Sequence, residues 1–185
     1  MNTAIGVLDQ KLGRAFAMLD VDGDGNLRED DLLSLSNRLA AAFDMSGDAT
    51  KIARLRNAFT QLWTHDLSTM DADQDGLLDR AEFMSGMKKA VANDREGILQ
   101  RLSVMVDAWM DICDTDGNGL IDEDEFQTMY IKSLGASPED LKVAFAKLDT
   151  DGDGTLGREE IRRATEEYYT SEDPKAPGNW LFGAL

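Results

Sequence analysis

Four short runs constrain this chain more than anything else in it. They begin at Asp20, Asp71, Asp114 and Asp149, and each sets acids at alternate positions ahead of a glycine. Like charges that close repel strongly. A chain keeps such a turn only when a cation sits in its middle. The runs follow the twelve-residue pattern D-x-[DN]-x-[DN]-G-x5-E, three in full and one nearly so. Loop two matches with Asp71, Asp73, Asp75, Gly76 and Glu82. Loop three matches with Asp114, Asp116, Asn118, Gly119 and Glu125, and loop four with Asp149, Asp151, Asp153, Gly154 and Glu160. Loop one offers Asp20, Asp22, Asp24 and Gly25, then Asp31 where the glutamate belongs. With 25 Asp among 185 residues, chance yields even one full match only about a few times in a thousand.

The spacing suits a hard divalent ion. Ca²⁺ takes six to eight oxygens at about 2.3–2.6 Å in a forgiving geometry. Positions 1, 3 and 5 send short acids inward, and glycine at 6 makes a bend that a Cβ would obstruct. Position 7 contributes its backbone carbonyl: Asn26, Leu77, Leu120 and Thr155. Asp79 and Asp122 at position 9 are expected to hold a ligating water, and Gly157 leaves that water unaided. Position 12 closes the shell with a carboxylate. Position 8 is apolar in all four loops, as Leu27, Leu78, Ile121 and Leu156. That residue has a use only if loops pair back to back through a short β-bridge, so four loops predict two pairs.

Helices are expected on both sides of every loop. Ile5, Leu8, Leu12, Phe16 and Leu19 form one stripe at three- and four-residue steps; Ile52, Leu55, Phe59, Trp63, Leu67 and Met70 form another. Ile98, Leu102, Met105, Trp109 and Cys113 lead into loop three, and Leu141, Ala144, Phe145 and Leu148 into loop four. The long first intervals predict helices near Asp30–Phe43 and Ala49–Met70. Ser137 and Pro138 read as N-cap and first residue of a helix. The fold class is therefore all-α: four helix–loop–helix units in two pairs, packed as one compact body. Residues 1–93 should hold the first pair (loops 20–31 and 71–82) and residues 94–170 the second (loops 114–125 and 149–160). Residues 171–185 should pack on that body as an apolar tail.

These residues resemble the EF-hand superfamily over nearly the whole chain. The uneven spacing and the tail Pro177-Gly178-Asn179-Trp180-Leu181-Phe182-Gly183 look like the sarcoplasmic calcium-binding proteins, with their bacterial calerythrin-like members, and are similar to the luciferin-binding proteins. The resemblance implies a compact, closed body. The group often carries a degenerate second loop, whereas loop two is complete here, so four Ca²⁺ sites are carried over. Loop one departs from the pattern. Asp31 is a methylene shorter than glutamate and favours a six-coordinate shell, which suits Mg²⁺. Arg28 at position 9 adds a positive charge beside the ion.

The remaining features narrow the function. The net charge of −17 repels nucleic acid and anionic lipid. No apolar stretch is long enough to span a membrane. The N-terminus shows neither a secretory nor a myristoylation pattern, and the single cysteine cannot form an internal disulfide; a monomer in a reducing cytoplasm is expected. Enzyme readings are poor. His65 is the one histidine and reads as a helix-surface residue, which also argues against a photoprotein; Cys113 reads as a packed thiol. The acids Glu166, Glu167, Glu172 and Asp173 read as a solvated helix end. Met84, Met87, Met105, Met110 and Met129 are read chiefly as core filler, with a target-binding groove as the alternative. The main expectation is a Ca²⁺ buffer. The alternatives are a sensor that shows a Met-rich groove to a partner helix, and a Ca²⁺-regulated carrier of an apolar small molecule.

Overall fold

A computed structural model describes residues 6–43, 49–134 and 137–183. Ile5 and the methionines at 1 and 45 lie outside that range. Helix α1 spans Val7–Leu19 and leads into loop one; α2 spans Glu29–Ala42 and leads out of it. Helix α3, Ala49–His65, precedes loop two. Helix α4 runs from Arg80 to Cys113 and is at once the outgoing helix of loop two and the incoming helix of loop three. Helix α5 covers Glu123–Leu134, α6 Pro138–Leu148, and α7 Arg158–Thr170.

The helices form because each lays an apolar stripe inward. Leu12, Ala15 and Phe16 of α1 are buried, as are Leu32, Leu35 and Leu39 of α2. One continuous core holds both halves together. Phe16 meets Phe83 at 5.7 Å between ring centroids within the first pair, and Phe126 meets Phe145 at 5.5 Å within the second. Phe59 meets Trp109 at 6.5 Å, joining α3 to the incoming helix of loop three. The burial of Met87, Met105, Met110 and Met129 places these side chains in that core.

Position 8 does pair the loops. Strand β1, Asn26–Leu27, lies antiparallel to β2, Leu78–Asp79, with Leu27 opposite Leu78. In the second pair a single bridge joins Ile121 and Leu156, with N–H···O distances of 3.0 and 2.8 Å. Loop one thus pairs with loop two, and loop three with loop four.

Three local expectations need correction. The helix expected over Ala49–Met70 stops at His65 and resumes as a 3-10 turn over Leu67–Met70. Asp66 makes the break. Its carboxylate is buried against Arg101, which donates at 3.0 and 2.8 Å, and its carbonyl accepts the Thr69 N–H and hydroxyl at 3.1 and 2.6 Å. Ser137 stands before Pro138 as expected, but its side chain makes no capping hydrogen bond. Glu167 is not simply solvated: its Oε2 accepts the Gly178 N–H at 2.8 Å and pins the tail to α7.

The long helix α4 bends at Asp94, whose φ of −146° and ψ of 61° are non-helical. Asp94 then accepts the Gly97 N–H at 3.1 Å, capping the second segment. The tail forms a 3-10 turn over Pro177–Trp180 and buries Leu181. Tyr130 donates its hydroxyl to the Leu181 carbonyl, and Arg14 Nε donates to the Phe182 carbonyl at 2.7 Å.

Candidate metal centres

Each loop is built by short acids that catch the backbone ahead of them. The position 1 carboxylate takes N–H groups with both of its oxygens. Asp71 accepts from Gln74 at 2.7 Å and Gly76 at 2.9 Å. Asp114 accepts from Gly117 at 2.8 Å and Gly119 at 2.9 Å, and Asp149 from Gly152 at 2.7 Å and Gly154 at 3.0 Å. In loop one Asp20 accepts from Asp24 at 3.1 Å and Gly25 at 3.0 Å. Position 3 then accepts the N–H of position 5: Asp22, Asp73, Asp116 and Asp151 at 3.1, 3.2, 3.0 and 3.2 Å. Position 5 accepts the N–H of position 7: Asp24, Asp75, Asn118 and Asp153 at 2.8, 2.8, 2.7 and 2.8 Å. These are Asx turns in series, and they wind the backbone into a ring with its acids inside. The glycine at position 6 has φ of 86°, 87°, 83° and 86° in loops one to four, where a Cβ is strained.

In loops two, three and four position 12 is a glutamate that closes the ring. Glu82, Glu125 and Glu160 accept the N–H of position 2 with Oε1, at 2.9, 2.7 and 2.8 Å. With Oε2 they accept the N–H of position 9, at 3.1, 3.2 and 3.1 Å. The carboxylate therefore lies across the loop. Oxygens of Asp71, Asp73 and Glu82 come within 4.8 Å of one another, as do those of Asp114, Asp116 and Glu125 and of Asp149, Asp151 and Glu160. Repulsion is legible in loop two. Asp73 is eased by the Asp75 N–H, yet its carboxyl is held above its usual range by the charges of Asp75, Glu82 and Asp71.

Loop one is assembled differently. Its close set is Asp20, Asp22 and Asp24, without Asp31. Asp31 keeps the position 9 contact of the other loops, its Oδ2 accepting the Arg28 N–H at 2.9 Å, and the N–H groups of Val21 and Asp22 also face its carboxyl. Burial, with help from the Asp22 charge, pushes the Asp31 carboxyl up. Arg28 donates to Asp24 at 2.6 Å and holds that carboxyl below its usual range.

Other predicted ligands sit outside the close sets. Asp75 and Asp153 are engaged with the N–H groups of position 7. Asp79 and Asp122 accept the N–H groups of Glu82 and Glu125, both at 2.8 Å, and so act as N-caps of α4 and α5. With the returning glutamates they form reciprocal capping boxes. At position 9, where a water-holding acid is expected, the side chains are engaged in helix capping. Two contacts were missed in the sequence. The hydroxyls of Thr115 and Thr150, at position 2, donate to Glu125 at 2.7 Å and Glu160 at 3.0 Å. Threonine at position 2 of two loops was the available signal.

The donor set is all oxygen, anionic and preorganised, with no nitrogen or sulfur ligand in the close sets. It fits a hard divalent cation and fits a soft metal poorly. His65 is exposed, and the buried Cys113, whose thiol is pushed up by its burial, faces Met129 rather than the ring.

Comparison with known proteins agrees with this geometry. An EF-hand domain pair model matches residues 52–131, and an EF-hand domain model matches residues 140–168. Calerythrin of Saccharopolyspora erythraea is 28% identical over 170 residues, covering 91% of this chain and 94% of its own. The sarcoplasmic calcium-binding protein of Scylla paramamosain is 26% identical over 176 residues, covering 91% and 90%. Among solved structures, a Streptomyces coelicolor calcium-binding protein superposes with a TM-score of 0.76 at 26% identity, covering 88% of this chain and 98% of that one.

Proposed function

We propose, from the premise that the chain belongs to the EF-hand family, that it binds Ca²⁺ in its four loops and acts chiefly as a calcium buffer. The observation that carries this reading is the repeated convergence of positions 1, 3 and 12 in loops two, three and four. Each site would take Ca²⁺ through those carboxylates, with position 5 beside them. The carbonyls of Asn26, Leu77, Leu120 and Thr155 would complete the shells. The short Asp31, a methylene less than glutamate and outside the close set of loop one, makes site one the weakest for Ca²⁺ and the one best suited to Mg²⁺. Residues 1–93 and 94–170 serve as the two paired halves.

The buffer reading draws on how the core is closed. The methionines that would line a target groove are mostly buried, and the tail lies over the second pair. The apolar cavity beneath the tail measures about 50 Å³, room for a few waters and far short of a small-molecule site. No described helix is long and apolar enough to cross a membrane. The acidic surface fits a monomer without nucleic-acid partners, and the lone buried thiol fits a reducing cytoplasm.

Calorimetric titration with Ca²⁺, with and without Mg²⁺, tests the assignment. Three tight sites and one weaker, Mg²⁺-sensitive site are expected. Glu125→Gln should remove one tight site and leave the others. Loss of no site would remove loop three from the account. A large Ca²⁺-dependent rise in binding of an apolar dye would replace the buffer with a sensor.

A further inference from the structure

Loop one differs from the others in what balances its charge, and the difference bears on how the proposed metal sites, on which it rests, are regulated. We propose that Arg28 is a tethered cation that holds loop one closed without metal, so that hand one is a preformed partner for loop two.

The geometry is local. Arg28 Nη1 lies 2.6 Å from Asp24 Oδ2, while Asp24 Oδ1 accepts the Asn26 N–H at 2.8 Å. Both oxygens at position 5 are therefore engaged inside the protein. Asp31 at position 12 is engaged too, on the Arg28 N–H, and is buried. Arg38 adds a second cation over the loop by donating to the Val21 carbonyl at 3.1 Å.

The arginines that follow position 9 in other loops leave their loops. Arg80 lies against Gly13 of α1, and Arg158 pairs with Asp107 at 3.2 Å and Asp111 at 2.6 Å. Among the ion pairs of the described residues, Arg28–Asp24 is the one that reaches a candidate ligand carboxylate. An exposed pair of this spacing contributes little on an open helix. Here the guanidinium faces the charges of Asp24, Asp22 and Asp31 together, so it relieves several repulsions at once.

The consequence reaches the neighbouring loop. Leu27 and Leu78 are fully buried against each other on a two-residue strand pair, where the second pair of loops has a single bridge. With loop one closed by its own arginine, that strand persists before any ion arrives. Loop two then orders against a standing partner and pays less entropy on binding. An ion at site one must first displace the guanidinium, so site one fills last.

Amide hydrogen exchange on the full chain in chelator tests this. The Leu27 and Leu78 amides of the wild type should stay protected while those of Ile121 and Leu156 exchange faster. Arg28→Gln should lower Leu27 and Leu78 protection about tenfold, and Arg28→Lys should restore it, as expected for removal and return of one contact charge. In calcium calorimetry Arg28→Gln should tighten the weakest site about tenfold, because a unit positive charge about 6 Å from a divalent ion costs about that much when water screens the pair. Equal protection of wild type and Arg28→Gln in chelator would overturn the proposal. A wild-type titration without calcium heats would instead sink the metal reading, and the exchange data would still decide the role of Arg28.

Discussion

Lys11 runs its whole length inside the protein. It sits on α1, and its ammonium donates to the Glu167 carbonyl at 2.8 Å and the Ser171 carbonyl at 2.7 Å, at the C-terminus of α7. Tyr168 donates back to the Lys11 carbonyl at 2.6 Å. A cation suits the orphan carbonyls at a helix C-terminus. Burial nevertheless dominates, and it lowers the Lys11 amine from 10.5 to about 8, against the smaller pull of the Glu167 charge. Between those values the unfolded chain holds a proton that the folded chain has released. Stability must then rise with pH across that window, by at most about 1.4 kcal/mol per pH unit. The buried tyrosines Tyr130, Tyr168 and Tyr169, all pushed up by burial, oppose this only above about pH 10, where unfolded tyrosine ionises. Urea unfolding in saturating calcium should therefore give a free energy that climbs from pH 8 to pH 10. Lys11→Met should flatten that slope. A wild-type curve already flat there would mean that water reaches the amine.

At the scale of elements, one arginine ties the break after α3 to the bend in α4. Arg101 of α4 holds the buried Asp66 with two contacts and reaches Asp94, at the bend of its own helix, at 3.6 Å. It thereby fixes the break after α3 relative to the bend in α4. Arg101→Ala strands a buried carboxylate and should cost about 2–3 kcal/mol in denaturant melts. Asp66→Asn alone should cost less than Arg101→Ala, and the double variant should cost less than the two singles summed. These two residues also mark where the sequence stops being readable. Leu67 and Met70 keep helical step with Trp63, so the apolar stripe runs on smoothly through a break that a partner 35 residues away creates. The loops were legible for the opposite reason: every acid at positions 1, 3, 5 and 12 acts within twelve residues of itself. Position 8 was legible too, since a buried leucine in a polar loop has no local use. The capping duty of Asp79 and Asp122 was hidden because position 9 falls within the loop pattern and at the start of a helix at once. Gln74 hid a strain of the same kind. It takes φ of 60° where the other loops have Gly23, Gly117 and Gly152.

For the whole molecule the governing quantity is charge. The chain carries −17, and much of it is gathered at the ends of paired loops. Four divalent ions, one in each proposed site, would supply eight positive charges and leave −9. Binding therefore relieves repulsion and orders loops in one step, and its free energy becomes folding free energy. At free calcium a hundredfold above its dissociation constant, one site adds about 2.7 kcal/mol, so three tight sites add about 8 kcal/mol. In a chain of this size each kcal/mol moves the midpoint by about 2–4 °C, which predicts a melting temperature about 15–30 °C higher in calcium than in chelator. Salt separates the electrostatic part from the rest. Raising sodium chloride shortens the Debye length to about 3 Å at 1 M, so it should stabilise the chelated protein and change the loaded one little. Equal melting temperatures with calcium and chelator would show that the loops close without ions. A large calcium shift with no salt response in chelator would show that the ions act by ordering the rings rather than by neutralising them.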